Sequence, residues 1–221
     1  MADETVRFYF DVVSPNAYLA WTQLPALAVR HGAAIEPVPV LFAGLLEAHG
    51  QLGPAEMPAK TRWMVRNNLR KAARLGVALN PPLFHPFNPL LALRACSLPL
   101  TPRPLADLVG ALFRAVWVDG LHVSDAAVVA GVADGVGLDG AAIVDAAAQP
   151  PAKARLREQT DAAIARGVFG IPTMTVGDDL FWGFDDFPQL EFRLAGRDPL
   201  DAATVRPWDV PRASATRARR P

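Results

Sequence analysis

The 221-residue sequence contains one cysteine, Cys96. A lone cysteine excludes an intrachain disulfide and a CxxC redox pair within this sequence. Lys and Arg total 22, as do Asp and Glu, so no net charge attracts nucleic acid or an anionic membrane. There is no apolar run long enough to span a bilayer and no signal-peptide pattern at the N-terminus. We therefore predict a cytoplasmic protein that binds neither nucleic acid nor membranes.

Metal and dinucleotide sites are not indicated either. Four histidines are present, and their spacing matches no metal site: His31, His49, His85 and His122. We expect these histidines at the surface or at helix ends. Residues 135–140 spell GxGxxG, but they follow a helical pattern rather than a strand, which argues against a dinucleotide site. Cys96 lies in an apolar helical stretch and is predicted to be a small buried hydrophobic residue.

The beginning of the chain has a β-α-β pattern. β-Branched and aromatic residues at 5–12 predict a strand, and Ser14-Pro15 provides the N-cap and the first residue of a helix. Gly32 ends this helix, and residues 35–41 predict a second strand that is interrupted by prolines. A crossover helix of this length favours a parallel pair of strands.

The middle of the chain is helical in pattern, and strands return near its end. Pro, Asp or Ser marks most helix starts, and the predicted helices are 58–75, 89–97, 104–118, 124–134, 139–148 and 150–166. Apolar stretches at 171–176 and 180–182 flank a Gly-Asp-Asp turn, which predicts an antiparallel hairpin. Residues 187–195 predict a final helix.

This order of elements predicts an α/β fold, in which a large all-helical insertion divides a thioredoxin-like domain. The thioredoxin-like domain is expected at residues 1–41 and 167–200, and the insertion at residues 42–166. Residues 201–221 are rich in Pro and Arg and predict a loose C-terminal tail. A fold alone does not define a function, so the function depends on the site residues.

Ser14 lies where the first predicted strand gives way to the first helix. A helix N-terminus presents unpaired N–H groups and a partial positive charge, so it stabilises an anion such as a thiolate. The Ser14 hydroxyl is able to donate a hydrogen bond to that anion. A simple helix N-cap is the alternative, and this segment alone is compatible with both roles.

Two further candidates lie near the end of the chain. Pro172 follows a turn at the start of a strand, where a cis-proline would expose the backbone of Ile171 to a peptide-like ligand. An ordinary trans-proline is the alternative. Asp185 follows a predicted strand, where it would either receive a ligand ammonium or cap the next helix.

The predicted helix at 58–75 is basic. Arg62, Arg66 and Arg70 share one of its faces at i, i+4 spacing. A solvated surface explains this face, and a binding site for a substrate carboxylate is the alternative.

Together these segments resemble the 2-hydroxychromene-2-carboxylate isomerases, which belong with the kappa-class glutathione transferases and the DsbA-like proteins. The resemblance rests on residues 8–15 (FYFDVVSP), residues 168–174 (VFGIPTM) and the hairpin that runs from 177 to 185, and it extends over about residues 5–195. It implies a thioredoxin-like fold, glutathione as cofactor and a small aromatic-derived substrate. It is also compatible with a homodimer.

The resemblance implies a role for each matching residue. Ser14 would contact the sulfur of bound glutathione. The backbone of Ile171, before a cis Pro172, would pair with the cysteinyl part of glutathione. Asp185 would hold the γ-glutamyl end. Lys60 and Asn88 are further candidates for contacts with glutathione or with the substrate.

The sequence departs from the family pattern at four positions, two of them in the helix predicted at 58–75 and two next to Asp185. Asn67 stands where the family often has Asp, and Trp63 stands where it often has Tyr. Asp186 stands where the family often has Arg, which removes a cation near the expected γ-glutamyl carboxylate. Phe184 is bulkier and less polar than the family pattern leads us to expect.

Other functions stay open from the sequence. A glutathione transferase would release the glutathione adduct as its product. A non-catalytic binding protein of this fold would have lost glutathione binding through the altered residues around Asp185. A thiol–disulfide oxidoreductase is disfavoured, because Ser14 has no partner cysteine.

Overall fold

The computed structural model describes residues 4–209, which form a four-stranded sheet with the strand order β2-β1-β3-β4. The strands are β1 (Thr5–Phe10), β2 (Ala34–Pro39), β3 (Thr173–Val176) and β4 (Asp179–Trp182). Strand β1 pairs in parallel with β2 and antiparallel with β3, and β3 forms a hairpin with β4. The predicted parallel pair and antiparallel hairpin are confirmed.

Helices pack around this sheet, and most of them lie close to their predicted bounds. Three short 3₁₀ turns, Pro54–Glu56, Phe184–Asp186 and Arg206–Asp209, accompany them. The helices in chain order are α1 (Pro15–His31), α2 (Phe42–His49), α3 (Pro58–Leu75), α4 (Leu90–Cys96), α5 (Pro102–Trp117), α6 (Ala126–Asp134), α7 (Gly140–Ala148), α8 (Pro150–Ala165), α9 (Phe187–Leu194) and α10 (Ala202–Val205).

Helix α2 is not predicted from the sequence, because its start has no local capping residue. Its N-cap is Leu41, whose side chain makes no capping hydrogen bond. The first N–H groups bond to distant residues instead: Leu41 N–H donates to the Thr160 hydroxyl and Phe42 N–H donates to the Asp11 carboxylate. Tertiary contacts therefore satisfy the beginning of this helix, and no sequence pattern near Leu41 reports them.

The main hydrophobic core joins the sheet to α1 and to the helical insertion. Phe8 and Phe10 of β1 are fully buried, and their rings pack against Trp21 of α1 and Phe113 of α5 at centroid distances of 5.4 and 5.5 Å. One cluster contains residues from both predicted domains, so the core is continuous across the proposed boundary at residue 42. Cys96 is buried in this cluster as predicted.

A second, smaller core lies between α2, α8 and the segment before β3. It contains Tyr9, Val40, Leu45, Val168 and Ile171, all of them buried. Burial of apolar surface in this cluster stabilises the contact between α2 and the loop that contains Ile171. This packing brings α2 and Ile171 together at the end of the sheet where α1 begins.

The first part of the predicted loose tail at 201–221 contains two short helical turns, and the looseness of the tail stays a prediction. Residues 202–205 form α10, and Arg206–Asp209 form a 3₁₀ turn. Asp201 starts α10, because its carboxylate accepts the N–H and the hydroxyl of Thr204. Aspartate is a common helix N-cap, which the Pro- and Arg-rich composition obscured. Residues 210–221 lie outside the described residues.

The third glycine of the GxGxxG segment has a packing role. At Gly140 an added Cβ would overlap the carbonyl oxygen of Ala130 in α6, because α6 and α7 approach closely there. At Gly131, which is exposed on α6, an added Cβ would meet nothing within 4 Å.

We expect opposite effects from alanine at these two glycines. Gly140→Ala should lower the free energy of unfolding by about 1–3 kcal/mol, since the helices must move apart. Gly131→Ala should raise it by about 0.5–1 kcal/mol through helix propensity. Urea unfolding followed by circular dichroism measures both, and equal effects of the two substitutions would contradict the described packing.

Candidate active site

Ser14 is the N-cap of α1. Its Oγ accepts a hydrogen bond from Ala17 N–H at 3.1 Å, and its own N–H donates to the Asp11 carbonyl at 3.1 Å. The capping role is therefore confirmed. Because Oγ acts as an acceptor in the cap, the hydroxyl hydrogen stays available to donate to an anion at the helix N-terminus.

The turn before Ser14 is fixed by hydrogen bonds on both sides. Val13 N–H donates to Asp11 Oδ1 at 3.0 Å, and Trp117 Nε1–H donates to the Val12 carbonyl at 2.9 Å. The other oxygen of Asp11, Oδ2, accepts Phe42 N–H at 3.0 Å. One carboxyl group thus ties the Ser14 turn to the start of α2.

Asp11 is 1% exposed, and this burial dominates its protonation. Loss of hydration raises the pKa of the Asp11 carboxyl from 3.8 to about 7, although the N–H groups of Val13 and Phe42 act in the opposite direction. Asp11 is not among the site residues predicted from the sequence. Its position directly after a buried strand was the available signal.

The Ile171–Pro172 peptide bond is cis, as predicted. Ile171 is 8% exposed, and no backbone hydrogen bond joins it to any other residue between 4 and 209. The Pro172 carbonyl accepts Gly183 N–H at 2.8 Å. The free N–H and C=O of Ile171 are therefore available to an extended, peptide-like ligand.

Gly170 permits the close approach of Trp182 to this loop. An added Cβ at Gly170 would lie 2.6 Å from Trp182 Nε1, and the Trp182 ring packs on Phe169 at 5.1 Å. The glycine before Ile171 thus leaves the space that the indole occupies.

Ser14 lines a cavity of about 300 Å³, called here the Ser14 cavity. Asp11, His85, Phe87 and Ile171 also line it. Its walls come from the turn before α1, from α2, from α3 and from the loop between α3 and α4. Most of the lining is apolar.

Asp185 lines an adjoining cavity of about 380 Å³, called here the Asp185 cavity. Ile171, Pro172, Lys60 and Lys71 line it as well. The two cavities form one cleft, because they share six lining residues: Asn16, Phe42, Leu46, Pro54, Met64 and Ile171. The structure thus brings Ser14, Ile171, Pro172, Asp185 and Lys60 to the same cleft.

Asp185 already has a cationic partner. Lys71 Nζ donates to Asp185 Oδ2 at 2.7 Å, and it also lies 5.6 Å from the centroid of the Phe184 ring. The Lys71 side chain is 8% exposed and that of Asp185 is 72% exposed. Lys71 lies within the basic helix predicted at 58–75, and the pairing with Asp185 is not predicted from the sequence. Met64 and Lys71 are about two helical turns apart, so both lie on the buried face of α3. This spacing was the available signal.

Two groups of predicted residues lie outside the cleft walls. Asn88 is exposed and lies in the turn before α4, where its Oδ1 accepts Leu90 N–H at 3.0 Å, and it lines neither cavity. The arginines of the basic face are exposed on α3 and line neither cavity. A solvated surface is the better description of that face: Arg62, Arg66 and Arg70.

His85 is at the surface, as predicted, and it also lines the Ser14 cavity. His85 Nε2 lies 3.1 Å from the Val13 carbonyl oxygen. A carbonyl only accepts, so Nε2 carries the hydrogen.

Within residues 4–209, no group of three His, Cys, Asp or Glu side chains is arranged to hold a metal ion. No helix in the same part of the chain is long and apolar enough to cross a membrane.

We expect the Asp11 carboxyl to titrate near pH 7 in the folded protein. Between about pH 4 and 7 the folded state then holds a proton that the unfolded state has released, so the free energy of unfolding falls as pH rises through this window. Carboxyl ¹³C chemical shifts followed against pH measure this pKa, and Asp11→Asn assigns the resonance. A midpoint below pH 5 would contradict the burial argument.

We expect the two partners of the Lys71–Asp185 pair to differ in their effect on stability. Asp185→Ala leaves a buried ammonium without a partner and should lower the free energy of unfolding by about 2–4 kcal/mol. Lys71→Met leaves only an exposed carboxylate and should change it by about 1 kcal/mol or less.

The double variant K71M/D185A should recover most of the stability that Asp185→Ala loses. Thermal unfolding of the three variants and the parent protein measures this cycle. Equal losses of stability in the two single variants would contradict this expectation, because burial of Lys71 would then not make the pair asymmetric.

Comparisons with known proteins identify the family of this chain. A family model described as a DSBA-like thioredoxin domain matches residues 5–195. A 2-hydroxychromene-2-carboxylate isomerase of Sphingobium xenophagum is 34% identical over 200 residues, which cover 86% of this chain and 98% of that protein. The solved structure of a 2-hydroxychromene-2-carboxylate isomerase superposes with a TM-score of 0.81 at 29% identity, and it covers 94% of this chain and 100% of the other.

A shorter similarity links the chain to a transferase. The glutathione S-transferase kappa 1 of Caenorhabditis elegans is 31% identical over 78 residues, which are 35% of this chain and 34% of that protein. The resemblance and the fold class inferred from the sequence are confirmed by the family model and by the long isomerase matches. The chain belongs to the DsbA-like thioredoxin-fold family and, within it, to the group of the 2-hydroxychromene-2-carboxylate isomerases.

Proposed function

We propose that this protein is a glutathione-dependent isomerase that acts on 2-hydroxychromene-2-carboxylate or a closely related aromatic-derived 2-oxo acid. The observation that carries the proposal is the presence of the Ser14 hydroxyl and the unpaired backbone of Ile171 in the Ser14 cavity. The identity of 34% to a 2-hydroxychromene-2-carboxylate isomerase supports the reaction, and the similarity to a kappa-class glutathione transferase supports the cofactor.

The residues of the cleft fit glutathione. Ile171 has a free N–H and C=O for the cysteinyl unit, and Ser14 has a hydroxyl hydrogen for its sulfur. A negative charge on Asp185 and a positive charge on Lys71 line the Asp185 cavity together with Ile171. This pair of charges suits the ammonium and the carboxylate of a γ-glutamyl end. Bound there, glutathione would supply a thiolate that adds reversibly to a conjugated carbon and so allows rotation about a former double bond.

The N-terminus of α1 favours the ionised form of a thiol. A free thiol has a pKa of about 8.5 and is mostly protonated at neutral pH. The partial positive charge of the helix and the Ser14 hydroxyl both stabilise the anion, so each lowers the thiol pKa. Ser14 thus acts on the reacting sulfur through one hydrogen bond.

The Ser14 cavity suits the aromatic body of the substrate. Apolar side chains make up most of its wall, including Phe87, Met64 and Leu46, and no Lys or Arg of the described residues lines it. Lys60 lines the adjoining Asp185 cavity, where Lys71 is already paired with Asp185. We assign the substrate carboxylate to Lys60 on this basis.

A cytoplasmic location is part of the same proposal. A thiol cofactor has to stay reduced, which favours the cytoplasm. The homodimer stays a prediction.

We expect Ser14→Ala to lower turnover far more than stability. Loss of the N-cap costs about 1 kcal/mol of stability, whereas loss of the hydroxyl removes the hydrogen bond to the reacting sulfur. Isomerisation of 2-hydroxychromene-2-carboxylate, with and without glutathione, measures the first effect, and thermal unfolding measures the second.

Ser97→Ala is the matched control, because Ser97 is a buried serine whose hydroxyl donates to Leu93 O and which lines neither cavity of the cleft. It should keep full activity. Proportional losses of activity and stability in Ser14→Ala would leave Ser14 as a cap only. Accumulation of a glutathione adduct as the final product would favour a transferase instead of an isomerase.

A further inference from the structure

His85 forms a hydrogen bond with Val13, the residue that precedes Ser14. Its Nε2–H donates to the Val13 carbonyl at 3.1 Å, while the N–H of the same residue donates to Asp11 Oδ1 at 3.0 Å. The ring packs against Trp117 at a centroid distance of 5.6 Å and against Phe87 at 6.5 Å. These contacts fix the orientation of the imidazole at the wall of the Ser14 cavity.

The Nδ1 atom of His85 has no hydrogen-bond partner among residues 4–209. With the hydrogen on Nε2, the neutral ring has its lone pair at Nδ1. Histidine is the side chain whose charge most readily changes near neutral pH. A fixed imidazole with a free lone pair is the usual structure of a general base.

The other titratable groups that line this cavity, Asp11 and Glu56, accept hydrogen bonds from backbone N–H groups. Both oxygens of Asp11 accept backbone N–H groups, and its carboxyl is buried. Glu56 accepts Gly53 N–H through Oε2. Asp11 and Glu56 thus each accept at least one backbone N–H, whereas the acceptor nitrogen of His85 in the same lining accepts no hydrogen bond.

We propose that His85 is a catalytic residue, which takes the thiol proton of glutathione at Nδ1 and returns it when the thiol is released. This inference rests on the proposed function. The proton balance closes within the site: the S–H bond breaks as the Nδ1–H bond forms, and the reverse occurs at the end of each turnover. Ser14 stabilises the thiolate, and His85 holds its proton.

The proton balance of glutathione binding tests this role without an activity assay. Calorimetric titration at neutral pH in two buffers of different ionisation enthalpy gives the number of protons released, and ultraviolet difference absorbance gives the amount of thiolate. In the parent protein we expect thiolate to form with little proton release. In His85→Gln, which keeps a donor for the Val13 carbonyl, we expect either no thiolate or about one released proton per thiolate.

Glu56→Gln is the control for the second exposed titratable group of the cavity, and it should behave as the parent protein does. Equal thiolate formation and equal proton release in the parent protein and in His85→Gln would overturn the role of His85 and leave the proposed function intact. A parent protein that does not bind glutathione would overturn both. A changed proton balance in Glu56→Gln alone would assign the role to Glu56 and overturn ours.

Kinetics give a second, independent readout. His85→Gln should lower kcat by roughly 10²-fold, which is typical for loss of a general base, with little change in KM. In His85→Ala, added imidazole should restore part of kcat, whereas a purely structural role would give no such rescue. The pH profile alone does not decide, because burial raises the pKa of Asp11, in the same cavity, to about 7.

Discussion

The cleft depends on one buried carboxyl group. Asp11 accepts the N–H of Val13, which holds the turn before Ser14, and the N–H of Phe42, which starts α2. The first contact places Ser14 at the N-terminus of α1, and the second places the helix that lines both cavities. A buried polar group is stable only when its hydrogen bonds are made, so the geometry of the turn and the position of α2 are coupled through the same side chain.

Charge in the cleft is arranged differently from the family pattern that the sequence resembles. Asp186, at the position where that pattern often has Arg, accepts the N–H of Trp182 and so serves the local turn. The cation next to Asp185 comes instead from Lys71 on α3, which reaches it from the protein interior. The cleft thus holds one positive and one negative charge side by side, on Lys71 and Asp185.

The sequence predicts the strands, most helices and the members of the cleft that belong to local motifs. Ser14 and Pro172 stand at recognisable junctions, so their positions follow from capping and turn preferences. Lys71 and His85 gain their roles from residues 114 and 72 positions away, respectively. Helix α2 likewise depends on Asp11 and Thr160, and no local pattern reports contacts of such range.

The central claim is that Ser14 and Ile171 together hold the thiol of glutathione. A crystal structure of the protein with reduced glutathione tests this most directly. The account predicts the glutathione sulfur within hydrogen-bond distance of Ser14 Oγ, and the cysteinyl N–H and C=O paired with the backbone of Ile171. Glutathione bound elsewhere, or bound in the cleft with its sulfur directed away from Ser14, would contradict it.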